Sequence, residues 1–178
     1  QTYGLIEVGV LRSKSKENGS LWVQVGGEGY KTRIKNGMLE IKSNSVMLGY
    51  LNAKDPFTKD GWYKTGDNVL EKNGFIKILG RATEVINVGG EKIFPQEIEN
   101  EILKMNNIKD VRVYAEKNVI VGNLICADVS LHKQEERNIL KEKMINFLSD
   151  RISQYKIPVK LSIRKEINYS DRFKKKRL

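Results

Sequence analysis

Cysteine, histidine and proline are almost missing from this chain: one, one and three copies in 178 residues. A lone Cys126 excludes an intramolecular disulfide. With only His132 beside it, a zinc site of the His/Cys type cannot be assembled within the chain. Cys126 lies in the apolar run 119–129 and reads as a small buried hydrophobe. Long hydrophobic runs are absent too. At a mean hydropathy of −0.48, no stretch approaches the roughly 20 apolar residues of a membrane-spanning helix. No basic-then-apolar leader precedes the first element, which predicts a cytoplasmic protein. Opening on Gln1 rather than Met predicts that the chain is a piece of something longer. No Gly-rich phosphate loop occurs.

Charge is abundant and of one prevailing sign, +10 in all. A basic balance raises nucleic acid or a membrane surface as partners. Its distribution weakens that reading. Residues 171–178 hold Arg172, Lys174, Lys175, Lys176 and Arg177 against Asp171, so +4 of the +10 sits in the last eight positions. The remaining +6 is spread over 170 residues, mostly as lysines beside acids, as on a solvated surface. No aromatic-studded basic strand of the RNA-binding type is present. Nucleic-acid binding is the weaker reading.

Turn chemistry organises the first part. Asn18-Gly19, Asn36-Gly37 and Asn73-Gly74 are hairpin signals. They separate strands predicted at 8–11 and 21–25, at 31–34 and 39–42, and at 68–70 and 75–79. That spacing predicts a small antiparallel barrel or sandwich, taken here as a barrel-like β unit. From residue 84 the pattern becomes mixed. A helix is predicted over 95–105, with Ile98, Ile102 and Met105 on one face. Two apolar β-branched runs follow at 111–115 and 119–129, the second bending near Gly122. A second helix over 135–152 carries Leu140, Met144, Phe147, Leu148 and Ile152 as a stripe. Pro158 stops it, and 161–163 reads as a last strand. The fold class is α+β.

The stretch Gly80-Arg81-Ala82-Thr83-Glu84-Val85-Ile86-Asn87-Val88-Gly89-Gly90-Glu91-Lys92-Ile93-Phe94-Pro95-Gln96-Glu97-Ile98-Glu99 is the most informative. It reads as a short strand, a Gly-Gly turn, a second short strand and a helix start. Pro95 suits the first helical position, and Glu97 and Glu99 suit the positive end of the helix dipole. The whole stretch resembles the hinge motif of the adenylate-forming (AMP-binding) enzymes, the superfamily of acyl- and aryl-CoA ligases, peptide-synthetase adenylation domains and luciferases. Gly61-Trp62-Tyr63-Lys64-Thr65-Gly66-Asp67 and Tyr3-Gly4-Leu5-Ile6-Glu7 resemble two further motifs of that family. Read alone, each is a turn, the first of them with a buried Trp62.

The resemblance implies roles. Tyr3 would pack on adenine, Gly4 would belong to the same nucleotide-binding motif, and Glu7 would reach the Mg²⁺ of ATP. Asp67 would accept the ribose hydroxyls, as an ionised carboxylate can. Arg81 would contact the ribose and phosphate side with its planar donor fork. Thr83 would be the hinge, and Gly89 and Gly90 would line a pantetheine channel. The closing residues 167–177 are similar to the family's last motif and would make Lys174 the catalytic lysine, with Lys175 and Lys176 as alternative registers. Residues 38–41 and 46–52 resemble scaffold between motifs. Two departures stand out: Ile6 where a threonine would help hold phosphate, and Phe173 where a glycine is expected.

The implied domains are 1–80, the C-terminal β-subdomain of the large AMP-binding domain; 81–83, the hinge; and 84–178, a mobile α+β lid. The implied function is that of the C-terminal part of an ATP-dependent acid–thiol ligase, an acyl-CoA synthetase of fatty-acid metabolism. It would form acyl-AMP from a small carboxylic acid, then pass the acyl group to CoA. The family's upstream phosphate loop is missing, so the 178 residues alone are expected to be inactive. An adenylation domain loading an acyl carrier protein through its phosphopantetheine, and a non-catalytic AMP-binding-like module, remain alternatives.

Overall fold

The computed structural model describes residues 3–18, 20–120 and 122–167. The chain divides into two compact units, Gln1–Thr83 and Glu84–Leu178. The boundary falls inside a 3₁₀ turn, Ala82–Glu84.

The first unit is one seven-stranded antiparallel sheet, curled into a half-barrel. Its strands are β1 (Tyr3–Leu5), β2 (Gly9–Ser15), β3 (Trp22–Gly26), β4 (Tyr30–Lys35), β5 (Met38–Ser43), β6 (Tyr63–Lys72) and β7 (Phe75–Arg81), in the order β1-β2-β3-β7-β6-β5-β4. Two of the Asn-Gly signals become tight two-residue turns: Asn36 and Gly37 have φ of 52° and 78°, Asn73 and Gly74 of 54° and 76°. Positive φ at both central residues matches the twist of the flanking strands, which is why the pair closes β4–β5 and β6–β7. The third, at Gly19, lies outside the described residues. Alternate residues of β2, β3, β5, β6 and β7 fill the core: Leu11, Val23, Leu39, Ile41, Tyr63, Val69 and Ile76.

The second unit runs β8 (Ile86–Val88), β9 (Glu91–Ile93), α1 (Pro95–Ile102), β10 (Ile108–Asn118), β11 (Gly122–Leu131), α2 (Arg137–Ser149) and β12 (Lys160–Ile163). β10 and β11 form an antiparallel hairpin, and β12 returns parallel to β11 after the crossover through α2. One face of this sheet (Val111, Val113, Ile125, Ala127, Val129, Leu161) packs with Ile98 and Ile102 of α1 and Leu140, Met144 and Leu148 of α2. Arg112, Tyr114, Cys126 and Asp128 occupy the intervening positions.

Several boundaries differ from the sequence expectation. The first helix stops at Ile102 rather than Met105, and the second occupies 137–149 rather than 135–152. Glu136 is the reason for the later start, its carboxylate accepting from Asn138 N at 3.0 Å and Ile139 N at 3.4 Å as an N-cap. The apolar run 119–129 is not one bent strand. Val119 and Ile120 are exposed at the hairpin tip, where Asn118 Oδ1 accepts from Ile120 N at 3.0 Å. That side-chain turn, with Gly122 at φ 77°, overrides the apolar pattern. Residues 61–67 are not a turn either: from Tyr63 onward they form β6, and Trp62 is only half-buried beneath the Arg33 guanidinium, 4.2 Å away.

Candidate functional site

The site in the first unit is built on β6. Tyr63, Thr65 and Asp67 alternate along it and all face inward, while Gly66 between them has φ 76°. That left-handed conformation favours glycine. Antiparallel register sets Asp67 directly opposite Arg81 of β7. Arg81 Nε approaches Asp67 Oδ1 at 2.9 Å, and its Nη1 donates to the Thr65 carbonyl at 2.7 Å. Tyr3, carried by β1, donates its hydroxyl to Asp67 Oδ2 at 2.6 Å. Thr65 completes the frame, its hydroxyl donating to Leu39 O at 2.8 Å and accepting from Asp67 N at 3.0 Å. Asp67 is 6% exposed, and the opposing guanidinium compensates its buried charge. Burial, then the negative charge of Asp67, holds the Tyr3 hydroxyl protonated far above its ordinary range.

Tyr3, Asp67 and Arg81 are thus brought together, 64 and 78 positions apart at the extremes. Gly4 is beside them in β1 and exposed. Glu7 sits in the turn after β1, where the Tyr50 hydroxyl donates to its Oε1. Burial pushes its carboxyl up, but bonds from Tyr50 and Tyr63 and the charge of Arg81 help bring it below the ordinary value. Ile6 is 99% exposed. Thr83 is exposed in the turn that ends the unit.

In the second unit Gly89 and Gly90 form the two-residue turn between β8 and β9, with φ of 55° and 90°. A Cβ on either would meet nothing within 4 Å, so the backbone, not crowding inside the unit, selects glycine there. Asn123 Nδ2 ties the neighbouring hairpin to Asn87 O at 2.7 Å. Lys174, its register alternatives and Phe173 lie outside the described residues.

Sequence reasoning missed Thr65, Tyr63 and Tyr50. Strict alternation of Tyr63, Thr65 and Asp67 was a usable signal for a strand face. Nothing local to residues 46–52 marked Tyr50. Glu99 was also misread: it is 1% exposed, and its Oε1 accepts from Val113 N at 2.8 Å instead of serving only the helix dipole.

Chemically, the arrangement offers carboxylate acceptors to hydroxyl or amine donors. With one bond to each oxygen among the described residues, Asp67 keeps acceptor capacity on both. No group of three His, Cys, Asp or Glu among the described residues forms a metal site, so a cation would need ligands from elsewhere.

A seven-stranded half-barrel followed by a ββαββαβ unit, with a Tyr–Asp–Arg cluster in the first, defines the class. No protein-family model matches the chain. Over 127 residues it is 35% identical to the mitochondrial medium-chain acyl-CoA ligase ACSF2 of Pongo abelii, covering 68% of this chain and 20% of that protein. It is 33% identical over 133 residues to the oxalate–CoA ligase of Saccharomyces cerevisiae, covering 71% and 24%. Among solved structures, the ATP-bound RpMatB–BxBclM chimera B1 superposes with a TM-score of 0.81 at 26% identity, over 98% of this chain and 38% of that one. The amide bond synthetase McbA of Marinactinospora thermotolerans shares the fold, with a TM-score of 0.82 at 16% identity over 98% and 40%. The chain belongs to the adenylate-forming, AMP-binding superfamily and is similar to the C-terminal portion of its acyl-CoA ligases. It spans about 20–24% of the length of these two curated relatives.

Proposed function

We propose that the chain is the C-terminal part of an ATP-dependent acid–thiol ligase, which forms acyl-AMP from a small carboxylic acid and passes the acyl group to CoA. The observation that carries it is the Asp67 carboxylate, held between Tyr3 and Arg81 with acceptor capacity left on both oxygens. Asp67 would take the ribose hydroxyls, Arg81 would hold the ribose and phosphate side, and Tyr3, with Gly4 next to it in the nucleotide-binding motif, would meet the adenine. Glu7 fits a nucleotide-borne Mg²⁺, because such a cation commonly takes one or two carboxylates and completes its shell with phosphate oxygens and water. When bound, Mg²⁺ would neutralise phosphate charge; Glu7 itself has only to stay ionised.

Lys174 would supply a positive charge for the adenylation half-reaction. Thr83 would act as hinge between Gln1–Thr83 and a lid, and Gly89 and Gly90 would border the path of the thiol. These assignments draw on family membership and on the unit boundary after Thr83. CoA is preferred as acceptor, supported by the CoA ligases among the relatives. Fatty-acid metabolism is the proposed setting, supported by the medium-chain acyl-CoA ligase among them. For the compartment, the buried free thiol of Cys126 supports a reducing one such as the cytoplasm, although ACSF2 carries a mitochondrial name. No helix among the described residues is long and apolar enough to cross a membrane.

The test is a pair of half-reaction assays on the full-length protein with a panel of acids. Acid-dependent pyrophosphate release followed by acyl-CoA formation is the expected result. Acyl transfer only to a holo-carrier protein would replace CoA with that acceptor. Ile6, an exposed side chain without a hydroxyl, favours a second reading as a nucleotide-binding module without catalysis. ATP binding with no pyrophosphate release from any acid would select it.

A further inference from the structure

The carboxylate of Glu7 is held by a tyrosine from a distant part of the sheet unit, Tyr50. Glu7 lies in a turn, where a glutamate side chain would ordinarily sample several rotamers. Here Tyr50 donates its hydroxyl to Oε1, and three residues earlier Met47 N donates to the Glu7 carbonyl at 3.0 Å. The connection from β5 to β6 is therefore fastened to Glu7 by both backbone and side chain. Burial and the neighbouring Tyr50 and Glu7 hold the Tyr63 hydroxyl protonated, above its ordinary range. Tyr63 is itself fixed: it is 5% exposed, bridges to Phe57, and has its ring centroid 5.5 Å from the Phe57 ring. Tyr50 differs. Its ring is exposed and stands outside the core cluster, so its hydroxyl is its principal contribution.

We infer that Tyr50 is a positioning residue for the cation contact of Glu7, its hydroxyl holding one carboxylate oxygen so that the other meets Mg²⁺ carried by the nucleotide. The inference rests on Glu7 having the role given it under Proposed function. A glutamate already held through one oxygen presents the other without first losing as much side-chain entropy. That pre-organisation should strengthen the Mg²⁺-dependent part of nucleotide binding and leave the metal-free part alone. A tyrosine that merely tethered the 44–62 connection would do the opposite, changing stability and both parts alike.

The experiment is calorimetric titration of ATP into the full-length protein across a Mg²⁺ series and in EDTA. Wild type is compared with Tyr50→Phe, Glu7→Gln and the double variant, and melting temperatures are recorded in parallel. Tyr50→Phe should raise the Mg²⁺ concentration at half-effect about 3- to 10-fold, as for loss of a hydrogen bond to a partly exposed charged group. Its affinity in EDTA and its melting temperature should match wild type. Glu7→Gln should lose more, and adding Tyr50→Phe to it should change nothing further, because residues acting through one another are not additive. Wild-type Mg²⁺ dependence in Tyr50→Phe, with that dependence lost in Glu7→Gln, overturns the inference and leaves Glu7 its role. Wild-type dependence in Glu7→Gln removes that role and the inference together. Equal losses with Mg²⁺ and in EDTA mean a tether and overturn it too. Should Tyr50→Phe be unstable, Tyr50→His keeps a donor and should retain part of the Mg²⁺ response; a response no better than that of Glu7→Gln also overturns it.

Discussion

Asp67 shows how much one side chain depends on its frame. Its carboxylate is nearly buried, yet the Arg81 guanidinium and the Tyr3 hydroxyl pair with it, while its backbone N–H donates to the Thr65 hydroxyl oxygen. Asp67→Ala in the full-length protein should weaken ATP binding by about 1.5–3 kcal/mol, the range for hydrogen bonds to a charged group. Calorimetry checks this, and unchanged affinity would reduce Asp67 to a structural partner of Arg81. Cys126 makes a prediction of a different kind. Burial, then its bond to Glu116, pushes its thiol from about 9 up to about 11. A folded-state value above the unfolded one means that its contribution to stability is complete below pH 9 and is lost as pH rises through 11. Wild type should therefore lose stability across that window by more than Cys126→Ala does, as read by urea unfolding at each pH. Parallel losses in the two proteins would contradict it.

At the scale of elements, the β8–β9 turn separates backbone need from ligand space. Positive φ at Gly89 and Gly90 strains most side chains, but asparagine tolerates the first turn position, and a Cβ there touches nothing. Gly89→Asn should keep the fold and adenylation while slowing transfer to CoA, if the thiol passes this turn. Gly89→Trp should do so more severely. Separate assays of the two half-reactions decide the matter; loss of adenylation in Gly89→Asn would make the turn a folding element only. Helix ends were the least legible elements. The sequence pattern carried the stripe of α2 through Ile152, whereas the capping carboxylate of Glu136 and the last helical residue Ser149 set its real length. The first half of β6, before the predicted 68–70, was hidden because glycine at 66 reads as a turn, although only a local φ reversal occurs there.

For the whole molecule, two predictions concern catalysis. The 178-residue chain by itself should release no pyrophosphate with any acid, because it carries no phosphate loop. Clear turnover by the purified chain would refute the reading of its function. In the full-length protein, Lys174→Ala should lower adenylation about 100-fold or more, as for loss of one positioned charge-stabilising donor, and spare thioester formation from preformed acyl-AMP. Equal damage to both halves would point to a structural tail or to Lys175 in its place.

Sequence by itself determined the family, the α+β class, the two Asn-Gly turns of the sheet and the identity of the Tyr–Asp–Arg residues. The turns and the class follow from local chemistry, positive-φ pairs and apolar periodicity, whereas the family and the Tyr–Asp–Arg residues follow from the likeness of three motifs to those of the superfamily. Tertiary structure alone decided which groups those residues touch. Tyr50 reaches Glu7 across 43 positions, and the Glu99 side chain reaches from α1 to accept from the backbone N–H of Val113. No periodicity encodes such pairs, since they exist only once a curled sheet or a packed helix brings distant strands within hydrogen-bond reach.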